Sequence, residues 1–216
     1  MLIRFILYWH LQIYIKLKKS YVPFLIIIGG VFLYPSNELL YGKLAKTERF
    51  DEADAVFIKR VLQRELPKQL RRVIIDELFA EFVTDNMKVF VDELYMNIEQ
   101  ILLMKKSGME FALHGYEHEW LSELTDIELR KDISNALEVF DGIIDNSEWA
   151  FVYPYGSYSD NMISVASSMG AMAGFGTDVA LYNPETDDIF KIPRLDTNDF
   201  PPQSTNYRKI KNNSEE

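Results

Sequence analysis

The chain of 216 residues contains no cysteine. That excludes a disulfide framework, a cysteine nucleophile and any thiolate metal site, so a transition-metal site would have to draw on histidine, aspartate and glutamate. Histidine is scarce as well: His10, His114 and His118 are the whole supply. Basic charge is in deficit, 23 Lys and Arg against 33 Asp and Glu for a net charge of −10. Nucleic-acid binding needs a basic face, so no nucleic-acid partner is expected. Acidic charge is missing from one end only: residues 1–20 carry Arg4, Lys16, Lys18 and Lys19 and no carboxylate, and the first carboxylate of the chain is Glu38.

Long apolar runs are also lacking. Leu2–Ile15 and Tyr21–Tyr34 are apolar stretches on either side of Lys16-Leu17-Lys18-Lys19. Neither reaches the about 18–20 residues of a spanning helix. Arg4, His10 and Gln12 interrupt the first, and no small-residue cleavage site follows to make it a signal peptide. The reading is a helix followed by a buried strand, with membrane association through residues 1–34 as an interfacial or anchoring segment the alternative. The expected location is cytoplasmic or membrane-associated.

What is present is ordinary for a globular chain, 48% hydrophobic and 26% charged residues, and the length suits a single domain over 1–216. The stretch 37–106 reads as helical. Apolar residues recur at spacings of three and four in Asn37–Lys46, Asp51–Leu66, Lys68–Phe82 and Val91–Lys106, with Ser107-Gly108 ending the last. Met109–Leu113 follows as a short strand. Thr125–Ile144 is a long helix, Thr125 and Glu128 standing at the capping-box spacing. Trp149–Tyr153 is a strand, Asp160–Met169 a helix, and Ala171–Gly176 and Ile189–Ile192 are strands. The polar stretch from Pro201 to the end is expected to fray. Alternating helix and strand from 88 onward predicts a parallel β/α architecture, in which chemistry gathers at the carboxyl ends of strands.

Three motifs stand at such ends. His114-Gly115-Tyr116-Glu117-His118 follows the first strand. Two imidazoles separated by three residues can face one ion if the chain turns at once, and Gly115 permits the turn. The spacing is not that of the helical H-E-x-x-H site. Phe151-Val152-Tyr153-Pro154-Tyr155-Gly156 runs a strand into a Pro-aromatic-Gly turn that could aim the Tyr155 amide into a cleft as an oxyanion donor, or serve as aromatic packing. Ile192-Pro193-Arg194-Leu195-Asp196 places Arg194 and Asp196 two apart on a strand, so that both could point the same way.

In this order the motifs GMEFALHGYEH, FVYPYGSY and IPRLD resemble the polysaccharide deacetylase family, the NodB-homology or carbohydrate esterase 4 group. The likeness runs from about residue 17 to residue 200 and takes in Leu17-Lys18-Lys19, Val22-Pro23, Tyr95-Met96 and Ile98–Ile101. It implies an α/β fold, an incomplete and distorted (β/α) barrel of the NodB-homology type, with 37–90 as a helical insertion and 201–216 as a tail. It further implies a hydrolase acting on carbon–nitrogen (non-peptide) bonds. Such an enzyme removes acetyl from N-acetylated sugars or polysaccharides, as in cell-surface glycan biosynthesis, with a divalent metal, commonly zinc. His114 and His118 match the family's two metal-ligand histidines. Tyr155 matches the residue whose backbone amide stabilises the oxyanion, and Arg194 the arginine that holds the catalytic carboxylate. Tyr153, Pro154, Gly156 and Asp196 fall with these motifs, on the substrate side.

Two of the family's parts have no counterpart. Its first strand ends in an aspartate pair, one the base and one the third metal ligand, whereas residues 1–37 hold no carboxylate. Asp187-Asp188 is a pair in the wrong place, and no histidine follows His118 to act as the late general acid. The expectation is therefore a member with its first strand missing or replaced, residues 1–16 being atypical. Its activity would be reduced or lost and an exposed sheet edge could favour a homodimer. The alternative is a non-catalytic carbohydrate-binding or truncated homologue.

Overall fold

A computed structural model describes residues 37–48 and 51–208. The helix and strand expected over 2–34, the atypical segment 1–16 and the stretch from 209 onward lie outside the described residues. The chain divides into two compact units, with the boundary between Leu94 and Tyr95.

The first unit is helical, as the spacing predicts. Helix α1 spans Asn37–Leu44 and α2 spans Ala53–Arg60, continued by a π-helical turn over Val61–Glu65. Pro67 stops that turn and α3 runs over Lys68–Phe82, followed by α4 at Met87–Leu94. Val61, Leu66, Ile74 and Leu78 form its small buried cluster, and ion pairs such as Arg60–Glu48 and Lys59–Asp51 lie around it. The continuous helix expected over Val91–Lys106 is broken. Helix α5 begins afresh at Ile98 because Asn97 caps it, its side chain accepting from the Gln100 amide while the Gln100 side chain accepts from the Asn97 amide. Among the described residues no helix is long and apolar enough to cross a membrane.

The second unit is mixed α/β around a small open sheet. Strands β1 (Trp149–Val152) and β2 (Ala171–Phe175) pair in parallel, with Phe151 opposite Gly174 and Val152 opposite Phe175. Single parallel bridges extend the sheet on both sides, Leu113 to Phe151 and Phe175 to Ile192. The four chain segments thus lie side by side in sequence order. Helix α6 (Asp126–Val139) joins the first to the second and α7 (Asp160–Ser168) the second to the third.

Two of the expected strands contract to one paired residue each. Of Met109–Leu113 only Leu113 pairs, donating to Ala150 and accepting from Val152. Ile189–Ile192 is a 3-10 turn over Ile189–Lys191, because the Asp188 side chain captures the Phe190 amide, and Ile192 alone joins β2. The helix expected to reach Ile144 ends at Val139, and Gly142 just beyond it has a positive φ. Its start is as read: Thr125 and Glu128 form the capping box. Nor is the tail frayed throughout. Over 201–208 it is tied back by Asn206, which donates to the buried Asp199 carboxylate.

The core of this unit gathers α6, the sheet and α7, through fully buried Leu121, Leu129, Ile133, Phe151 and Met162. Each such side chain contributes about 1.5–3 kcal/mol by leaving water. Gly174 is dictated by what lies over it: a Cβ there would come within 1.9 Å of the Tyr153 hydroxyl and 2.7 Å of the Phe190 carbonyl.

Candidate functional site

The loops leaving Leu113 and β1 meet at the carboxyl end of the sheet, and the two sequence-predicted histidines meet there with them. Leu113 is anchored in the sheet, and the chain turns immediately at Gly115, whose φ of 75° lies in the left-handed region. The turn returns at His118, itself at φ 53°. The result brings the two Nε2 atoms to 3.1 Å from each other. Two nitrogens bound to one tetrahedral zinc at about 2.0–2.1 Å would stand about 3.3 Å apart, so the pair has the spacing of two ligand positions.

The other ring nitrogens fix the protonation pattern. His114 Nδ1 lies 2.6 Å from the Val152 carbonyl. A carbonyl only accepts, so Nδ1 carries the hydrogen and Nε2 keeps its lone pair in the neutral ring. His118 Nδ1 lies 3.0 Å from the Tyr155 hydroxyl, which can donate or accept. With Nδ1–H donating to Tyr155, both Nε2 lone pairs are available to a ligand; with Nδ1 accepting, His118 Nε2–H donates to His114. Burial, and then the neighbouring His114, hold His118 below the ordinary imidazole range. That favours the neutral form that a metal requires.

Tyr155 frames the pair. It stands in the Pro154–Gly156 turn at φ 58°, ψ 10°, a conformation that costs a non-glycine residue about 1–2 kcal/mol. Its ring meets His118 edge to face and stacks on Trp120, centroids 4.9 Å apart and planes 9° from parallel. Trp120 was not singled out from the sequence, and nothing in its spacing separates it from a core aromatic. Tyr153 and Pro154, expected on the substrate side, are buried. The Tyr153 hydroxyl donates to the Phe190 carbonyl and burial pushes the phenol upward, so this side chain packs in the core and is not presented to a ligand. Gly156 lies half-buried at the end of the turn.

The third motif does not join them by any direct contact. Arg194 and Asp196 are not on a strand. The Arg194 Nε donates to the Gly176 carbonyl, and no ion pair ties Arg194 to a carboxylate among the described residues. Asp196 is exposed and caps the turn Thr197–Asp199, accepting from Asn198. Asp187 and Asp188 likewise close local turns, accepting from Asn183 and Phe190.

One carboxylate close to the pair escaped the sequence reading. Asp132, on α6, is only 6% exposed, and its two oxygens accept the Tyr116 and Glu117 amides at 2.9 Å each. The signal was available: an acid on the stripe Leu129, Asp132, Ile133, Ala136, whose other members are apolar and buried. Its oxygens face the loop backbone. Among the described residues no group of three or more His, Cys, Asp or Glu gathers as a metal site. His114 and His118 therefore fit two ligands of a zinc ion, and the described residues fall one protein ligand short of a catalytic set.

Comparison with known proteins agrees with the resemblance carried by the motifs. The polysaccharide deacetylase family model matches residues 80–174, the segment holding both histidines and the Tyr155 turn. No curated protein and no solved structure matches the chain.

Proposed function

We propose, from the match of residues 80–174 to the polysaccharide deacetylase family model, that this protein acts on the N-acetyl group of an amino sugar in a cell-surface glycan, and that His114 and His118 hold a divalent metal ion, zinc first among candidates. The observation that carries the reading is the convergence of the two Nε2 atoms at 3.1 Å, with Nδ1 of His114 committed to a backbone carbonyl. Such a partner fixes the tautomer and orientation of a metal-ligating histidine. When bound, the ion supplies polarisation of the amide carbonyl and a more acidic bound water.

The chain's own residues take these roles. The Tyr155 amide, carried on a left-handed turn beside His118, donates to the oxygen of the amide under attack. The turn is held rigid by buried Tyr153 and Pro154, while Gly156 and Asp196 lie on the substrate side. Arg194, its Nε spent on Gly176, offers its terminal nitrogens to orient a carboxylate base. The (β/α) barrel of the family is the frame we propose around the four sequential parallel segments.

The missing carboxylate sets the expected rate. A base and an acid each contribute about 10²–10⁴-fold, so without them turnover is slow. A second reading, a carbohydrate-binding protein without turnover, is favoured by the lack of a three-ligand cluster among the described residues. Metal content of the purified full chain, with acetate release from an N-acetylglucosamine oligomer, separates the readings. We expect about one equivalent of zinc in the parent and none in His114→Ala or His118→Ala. Zinc with acetate release supports the enzyme and zinc without it supports the binding protein. A zinc-free parent overturns the metal site.

A further inference from the structure

We infer that Asp132 is the positioning residue of the histidine pair: its carboxylate holds the loop 115–117 in the one conformation that lets His114 and His118 converge. The inference rests on the reading of that pair as metal ligands, and it deepens it.

The loop between the histidines is short and unfavourable on its own. Two of its residues, Gly115 and His118, have positive φ, and the second bears a side chain that disfavours that region. Its middle amides, Tyr116 and Glu117, belong to no helix or sheet ladder. Both are taken up by one group, Oδ1 of Asp132 for Tyr116 and Oδ2 for Glu117. A carboxylate receiving two backbone amides makes two charge-assisted bonds, shorter and stronger than neutral ones. The fit is close: a Cβ on Gly115 would stand 3.2 Å from Oδ1, so Gly115 gives the turn its handedness and leaves room for the acid. The imidazoles are held separately, His114 by the Val152 carbonyl and His118 by the Tyr155 hydroxyl. Backbone and rings are thus held by different partners, with Asp132 taking both middle amides of the loop.

Burial makes a bystander role costly. Asp132 occupies a core position of α6, where an apolar residue would pack without desolvating a charge. What it obtains there is a pair of amides from the metal-ligand loop.

The test uses the full chain and zinc ion alone. Asp132→Asn keeps the shape and one acceptor but turns an NH₂ toward the second amide; Asp132→Ala removes both. With zinc affinity measured by chelator competition, we expect about a 10-fold loss for Asp132→Asn and about 100-fold for Asp132→Ala, the range of outer-shell partners of metal sites. In the ion-free protein, hydrogen exchange at Tyr116 and Glu117 should accelerate in both variants while Val152, within the sheet, keeps its protection. Parent-like affinity in both variants overturns the proposal, and so does loss of protection spread evenly over Leu113, Val152 and the loop, which would mark a general packing role. If the parent itself binds no zinc, the metal reading fails. The imidazole ¹⁵N shifts of the ion-free chain then still decide on Asp132: a tautomer pattern scrambled in Asp132→Ala supports it, and one unchanged from the parent overturns it.

Discussion

The helical unit up to Leu94 and the β/α unit after it are built on different terms. The first is bound together by periodic apolar faces and by exposed or part-buried ion pairs; the second by a buried cluster around Phe151 and by turns that are uphill in themselves. His118 and Tyr155, the non-glycine residues at positive φ among those described, both lie in the second unit and touch each other. Backbone kept against its preference persists only where surroundings over-determine it. The difference teaches where to look for chemistry: in the unit that holds residues against their local preference, while the other satisfies local preference almost everywhere.

The cores of the two units carry the largest expected effects. Phe151→Ala should cost about 3–5 kcal/mol in denaturant unfolding, and Ile74→Ala in the helical unit about 2–4 kcal/mol, with zinc binding retained in the second variant under conditions where it stays folded. Loss of zinc binding by folded Ile74→Ala would end the division of labour. Gly174→Ala, forced against the Tyr153 hydroxyl, should cost about 1–3 kcal/mol and weaken the Tyr155 turn; an unchanged melting temperature would show that the strand can shift to accept a methyl. Thr125→Ala removes a cap and should cost about 1 kcal/mol. Arg60→Met breaks an exposed ion pair and should cost under about 1 kcal/mol, so a larger effect of the second would mean that charge matters more to the helical unit than its burial implies.

Acid sharpens the contrast at its smallest scale. His118 is depressed in the folded protein, so its ring protons should titrate with a midpoint below 6.5 by NMR. The unfolded chain takes up this proton first. Stability from this group is therefore unaffected above pH 6.5 and falls as pH drops from 6.5 through the folded midpoint. A midpoint above 6.5 would place the ring in a more solvated or more acidic setting than described here.

The legible parts of the sequence are those decided locally, in either unit. Lys68–Phe82 is found with the bounds its spacing predicts, and the capping box at Thr125 is as read. These are local signals, decided within a turn or two of helix. The strand expected at the third motif did not form because Asp188 and Asp196 cap their own turns. Asn97 likewise interrupts an unbroken apolar period with a cap. For the site, the meeting of the two histidines at a strand end and the turn at Gly115 were legible. The left-handed His118, the stacking of Trp120 on Tyr155 and the amides taken by Asp132 were not, since each depends on a partner 15 or more residues away in the chain.

The distance in sequence between the histidines and what orients them has a temporal consequence. His114 and His118 are separated by three residues, yet the atoms that orient their rings belong to Val152 and Tyr155, 38 and 37 residues further on. As the polypeptide is synthesised, the pair exists long before its geometry does. Until β1 has been made and docked beside Leu113, the two imidazoles lack the partners that aim them at one point, so the proposed chelating pair would exist only in the folded unit. On the proposed metal role, capture of an ion would therefore follow the folding of this unit.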